Sequence, residues 1–133
     1  MTIASVLFLD DSHWRHSAFT EITDLLRDVR VSQAFNAATA IELLESQTFD
    51  QVFLDHDLDE RDIMVPVGAA SCAPTGMDVV DHILTMTQPP RRVIVHSCNA
   101  PAAHEMVARL QTHPAGINAR EIAFPALLAY MTK

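Results

Sequence analysis

The sequence predicts a three-layer α/β domain, a (βα)5 chain whose five parallel strands lie in the order 2-1-3-4-5. Three observations predict it. Strand-like apolar runs alternate with helix-like stripes along all 133 residues, read as a single domain over 1–133. The first, third and fourth runs are the most apolar, as strands covered on both faces are, while the second and fifth are more polar, as edges are. Those same three apolar runs each end in acidic or polar residues, and a parallel sheet brings all such ends to one rim.

"IASVLFL" (3–9) is a continuous apolar run stopped by Asp10 and Asp11, so it reads as a buried strand. The first helix follows, with Trp14, Ala18, Ile22 and Leu25 at helical spacing and Ser12 or Asp11 as its N-cap. "RVSQAF" (30–35) is a polar edge strand, and the next helix carries Ala37, Ala40, Ile41 and Leu44 on one stripe. "QVFL" (51–54) is the third strand. A loop of roughly residues 56–74 comes next, long enough to suggest a role over a ligand. "GMDVVDHILTM" reads as helix, "RRVIVHS" (91–97) as the fourth strand. Then comes a helix with Asn99 as cap, Pro101 in its first turn, and Ala103, Met106, Val107 and Leu110 on one face. "INAREIAF" is a weak fifth strand, and "PALLAYMTK" a short terminal helix.

Composition removes several classes. Nine basic against seventeen acidic side chains give a net charge of −8, which disfavours duplex nucleic acid but not a phosphorylated small molecule or RNA end held through a cation. Two cysteines, Cys72 and Cys98, form neither a disulfide scaffold nor a CxxC motif, which is the pattern expected of a reducing cytoplasm. The N-terminal stretch lacks the basic start of a signal peptide, and no apolar run approaches ~20 residues, so no membrane partner is expected.

The three strand ends carry the chemistry: Asp10-Asp11, Asp55-His56-Asp57, and His96-Ser97-Cys98-Asn99. Carboxylates gathered on one rim repel one another unless some are protonated or a cation joins them. Asp10, Asp11 and Asp55 are the candidate metal ligands. Their oxygens suit Mg²⁺ or Mn²⁺, with Zn²⁺ or Fe²⁺ possible if imidazole joins. His56, His96 and Asp57 are the candidate catalytic groups, because imidazole titrates near neutral pH. Ser97 and Asn99, before a helix N-terminus, and Arg15, a bidentate donor, are the candidate phosphate-binding residues. Plainer readings stand beside these. Ser97 and Asn99 serve equally as a helix cap, His96 as a core histidine, and His13 and His16 as surface residues.

The pattern of "LDD", an aspartate ending the third strand and a serine ending the fourth resembles the receiver domain of response regulators, a flavodoxin-like fold. The resemblance implies that Asp10 and Asp11 form its acidic metal pair, that Asp55 is its phospho-acceptor, and that Ser97 is its hydroxyl switch. Receivers also carry a lysine before a proline after the fifth strand. Here Phe124 precedes Pro125, and the sole lysine is Lys133. "FLDDSHWR", "FLDHDL", "TGMDVVDHI" and "VIVHSCNAPAAHEM" together resemble a derived group, the cyclic-phosphate-processing receiver domains. That resemblance implies metal-dependent processing of a cyclic or terminal phosphate. Two other functions remain open: a stand-alone receiver phosphorylated on Asp55, and a non-catalytic factor binding a nucleotide or protein. The terminal helix around Leu127, Leu128 and Tyr130 also offers an apolar surface to a second copy, a possible homodimer.

Overall fold

The computed structural model describes residues 4–26, 28–58, 75–97 and 99–131. Its elements are β1 (Ala4–Leu9), α1 (His13–Asp24), β2 (Val29–Ala34), α2 (Ala37–Ser46), β3 (Gln51–Leu54), α3 (Gly76–Thr85), β4 (Arg92–Val95), α4 (Ala100–Leu110), β5 (Asn118–Glu121) and α5 (Leu127–Met131), the last entered through a 3₁₀ turn at Phe124–Ala126. All four strand pairings are parallel, and the order is β2-β1-β3-β4-β5. The expected loop over the site lies mainly in 59–74, outside the described residues, as do Cys72, Cys98 and Lys133.

Alternation of side chains along each strand divides the interior into two cores. Leu7, Leu9, Val52, Leu54, Val93 and Val95 face one way and pack against α2, α3 and α4. Val6, Phe8, Phe53 and Ile94 face the other way and meet Phe19 of α1, Phe124 and Leu127. The helix stripes expected for α2 and α4 are the buried ones: Ala37, Ala40 and Leu44, then Ala103, Met106 and Leu110.

The stripe expected for α1 is wrong. Trp14 and Leu25 are exposed, and His16, Phe19 and Thr23 take the core side. His16 is therefore not the surface residue expected from sequence. Its ring meets the edge of Phe8 at 4.9 Å and stacks on Phe35 at 3.8 Å. In α5, Leu127 is buried and Tyr130 donates a hydrogen bond to Gln51 Oε1 at 3.2 Å, so both are engaged within this chain. Asp78 closes a capping box with Thr75 at the start of α3, rather than pairing with His82 as its spacing suggests. His104 is exposed, with Nε2 2.7 Å from Glu121. Among the described residues, no helix is long and apolar enough to cross a membrane.

Candidate active site

Strand register makes the rim. Leu9 pairs with Leu54, and Leu54 with Val95, so Asp10, Asp55 and His96 leave the sheet at one level. Backbone bonds continue one step past the strands: Asp55 N–H donates to Leu9 O at 3.1 Å, and His96 N–H to Leu54 O at 2.9 Å. The next segment is held equally closely. Gly76 N–H donates to His56 O at 3.1 Å, and a Cβ on Gly76 would collide with the Asp55 carbonyl. Only glycine lets α3 start this near the third strand end.

Three carboxylates converge there. One oxygen each from Asp10, Asp11 and Asp55 lies within 4.8 Å of the others, a set that could hold a metal ion. Asp10 is fully buried, with Oδ1 accepting from Ser12 N–H at 2.8 Å and Oδ2 from Arg15 Nη1 at 3.2 Å. Arg15 Nη1 also stands 3.9 Å from Asp55 Oδ2. Burial raises the Asp10 pKa, against the pull of the Ser12 N–H and Arg15. Burial, then the charge of Asp10, pushes Asp55 up to about 7, despite Arg15. The donor set therefore fits a divalent cation, which would add to the positive charge that Arg15 brings to Asp10 and Asp55.

The other expected site residues fall into two groups. His96 lies behind Asp10 and is not among the residues that line the open cleft over the carboxylates. It is 1% exposed, stacks on Phe8 at 5.1 Å, and places Nδ1 3.6 Å from Asp10 Oδ2. Burial, with Arg15 nearby, lowers its pKa to about 3, so it is neutral at physiological pH. Neither ring nitrogen meets hydrogen-bond geometry among the described residues, though the backbone of Leu9 and of His96 itself lies near enough to offset part of the burial. His56, Asp57 and Asn99 form a chain along the rim. His56 Nδ1 donates to Asp57 Oδ1 at 2.7 Å, and Asn99 Nδ2 reaches the same oxygen at 3.4 Å. Ser97 and Asn99 also do what a cap does: Ser97 Oγ accepts from Asn99 N–H at 3.0 Å, and Asn99 Oδ1 from Ala102 N–H at 3.2 Å.

An open cleft of about 260 Å³ lies over the carboxylates, lined by Asp11, Ser12, Trp14, Arg15, Asp55 and Asp57. Three contributors escaped sequence reasoning. Trp14 read as core because it fell on a helical spacing. Ser12 read as a cap, yet its side chain makes no capping bond and its backbone N–H holds Asp10. His16 donates from Nε2 to the Asp10 carbonyl at 2.8 Å and thus steadies the backbone of a candidate ligand. A histidine in the first turn after paired acids was the available signal.

Comparison with known proteins agrees with this geometry. The response regulator domain of CheB from Thermotoga maritima superposes with a TM-score of 0.70 at 17% identity, over 98% of this chain and 91% of that one. A LuxR-family response regulator from Aurantimonas sp. SI85-9A1 gives 0.70 at 16% identity, over 99% and 81%. A CheY-like receiver domain from Methylobacillus flagellatus gives 0.63 at 13% identity, over 98% of each. At such identities these likenesses establish the fold, a receiver fold. No curated protein sequence matches the chain. The family described as "Cyclic-phosphate processing Receiver domain" matches residues 5–112. With its acidic strand ends held on a receiver sheet, this chain belongs to the cyclic-phosphate processing receiver domain family.

Proposed function

We propose that this domain is a metal-dependent phosphoesterase that opens or removes a cyclic or terminal phosphate on a nucleotide or RNA end. The observation that carries the reading is the set of three carboxylate oxygens within 4.8 Å under an open cleft. Asp10, Asp11 and Asp55 would hold the cation. Oxygen donors alone favour Mg²⁺ or Mn²⁺ over Zn²⁺ or Fe²⁺. Such an ion, when bound, polarises a phosphoryl oxygen and offsets the negative charge of the acids and the phosphate.

The chain's own groups divide the remaining work. Arg15, on the cleft wall, donates to a non-bridging phosphate oxygen, and its contact with Asp10 fixes its direction. Asp57 takes the Nδ1 proton side of His56 and so leaves Nε2 as the basic nitrogen, able to accept a proton from water. Asn99 holds Asp57 in that orientation. Ser97 and Asn99 cap α4, and the Ser97 hydroxyl, whose oxygen accepts from Asn99 N–H, keeps its own proton to donate to a far phosphate oxygen. His96 serves the site through Asp10: a neutral ring packed behind that carboxylate keeps it dry.

Phosphorylation of Asp55 is the rival reading. It lacks the lysine receivers place before the proline, since Phe124 stands there with its ring 5.4 Å from the Arg15 guanidinium. Turnover of 2′,3′-cyclic nucleotides and a generic phosphodiester, with Mg²⁺, Mn²⁺ or EDTA, tests the proposal. We expect metal-dependent hydrolysis that Asp55→Ala and His56→Ala each abolish. No turnover with any metal, together with labelling of Asp55 by acetyl phosphate, would replace the enzyme with a signalling module.

A further inference from the structure

We propose that Trp14 is a stacking platform for a nucleobase, so that the cleft takes a nucleotide rather than a phosphoester without a base. This inference rests on the phosphate-site reading above. Trp14 is 65% exposed and lines the cleft beside Asp11, Arg15, Asp55 and Asp57. An indole left in water costs the free protein apolar burial it could have had in the core, and two of the three buried positions of the same helix, His16 and Thr23 beside Phe19, are polar instead. The exposed ring is also held in place. Phe124 meets it nearly perpendicularly at 5.7 Å, and the Arg15 guanidinium carbon lies 5.8 Å from its centroid. A ring already fixed loses little rotamer freedom when a ligand stacks on it.

The chemistry of the neighbours selects the ligand. Trp14 immediately precedes Arg15 in the first turn of α1, so a phosphate drawn to Arg15 brings the attached nucleoside to the indole. An aromatic ring and a guanidinium side by side are the two surfaces on which unstacked bases lie flat. A bare sugar or glycerol phosphate has no π-face to offer either of them. Because every base has such a face, the platform recognises that a base is present without choosing which one.

Trp14 is the chain's single tryptophan, so its fluorescence reports this contact without any turnover. The probes are 2′,3′-cyclic AMP and glycerol 1,2-cyclic phosphate, which has the same five-membered phosphate ring and no base, both titrated in Mg²⁺. We expect saturable quenching by the nucleotide and binding about tenfold to a hundredfold tighter than the baseless probe. By calorimetry, Trp14→Ala should remove that advantage while leaving the baseless probe unchanged, and Trp14→Phe should keep part of it. Equal affinity of the wild type for the two probes, or a nucleotide advantage intact in Trp14→Ala, would overturn the platform and leave the phosphate site standing. Binding of neither probe by a Mg²⁺-loaded wild type would overturn both.

Discussion

Replacing Asp55 by asparagine separates what the site costs from what it does. The Asp55 carboxyl is 4% exposed and its pKa is pushed from 3.8 to about 7, chiefly by burial and then by Asp10. Above that pH it is charged where charge is disfavoured. We expect Asp55→Asn to stabilise the metal-free chain at pH 8 by on the order of a few kcal/mol. Divalent cations should then no longer raise its melting temperature. A destabilised variant would mean that the acids are already compensated without metal. His96 gives the complementary case. It is neutral, buried and without a hydrogen-bond partner among the described residues, a situation that costs about 1–3 kcal/mol for a polar group. His96→Leu should therefore fold at least as stably as wild type in urea denaturation, yet bind Mg²⁺ more weakly if the ring's task is to set Asp10. A large loss of stability would show that the imidazole is hydrogen-bonded after all.

Elements meet at the glycine that opens α3. A methyl group at Gly76 collides with the Asp55 carbonyl, so Gly76→Ala must push α3 away from the end of β3. We expect a loss of more than about 2 kcal/mol, in the range of overpacked sites, and weaker metal binding because Asp55 moves with its backbone. Gly116→Ala is the control. Gly116 has φ 79° and open space around its Cβ position, so it should lose about 1 kcal/mol and leave the metal affinity alone. Equal effects on metal binding would contradict the role given to Gly76. The strands were legible because central parallel strands are apolar on both faces, and the strand ends because acids stopping such runs are costly without a use. The face of α1 was not legible. Its core side holds His16 and Thr23, which look polar in one dimension, while Trp14 and Leu25 mimic a buried stripe. His16 is tolerated inside because Phe8 and Phe35 flank its ring and the Asp10 carbonyl takes its proton. His96 was legible both as a catalytic candidate and as a core histidine, and its 1% exposure, behind Asp10, is the core reading.

For the whole molecule, metal, pH and folding are one equilibrium. Asp10 and Asp55 both have folded-state pKa values raised above those of an unfolded chain. Between about pH 4 and 7 these two acids hold protons that the unfolded form has lost, so their contribution to metal-free stability falls as pH rises. His96, its pKa lowered from 6.5 to about 3, contributes the opposite slope up to about pH 6.5, and a His96→Leu background isolates the acids. Above about 7 Asp55 has no further proton to lose and its contribution levels off. A divalent cation binds the form those acids take at high pH, so its effect should run the opposite way. At pH 8, with Mg²⁺ or Mn²⁺ at about a hundred times its dissociation constant, linkage gives about 2.7 kcal/mol, or roughly 10 °C in melting temperature for a domain of this size. At pH 6 one proton on Asp55 competes with the metal and weakens it by about tenfold. The same metal concentration should then give about half the shift, and protonation of Asp10 would reduce it further. Differential scanning calorimetry at pH 6, 7 and 8, with metal and with EDTA, measures both trends in one series. A metal-induced shift independent of pH would place the cation away from Asp55. In the His96→Leu background, where the opposing histidine is gone, metal-free stability that rises from about pH 4 to 7 would show that these carboxyls are not held protonated by burial, and that the convergence of Asp10, Asp11 and Asp55 is satisfied by some other charge.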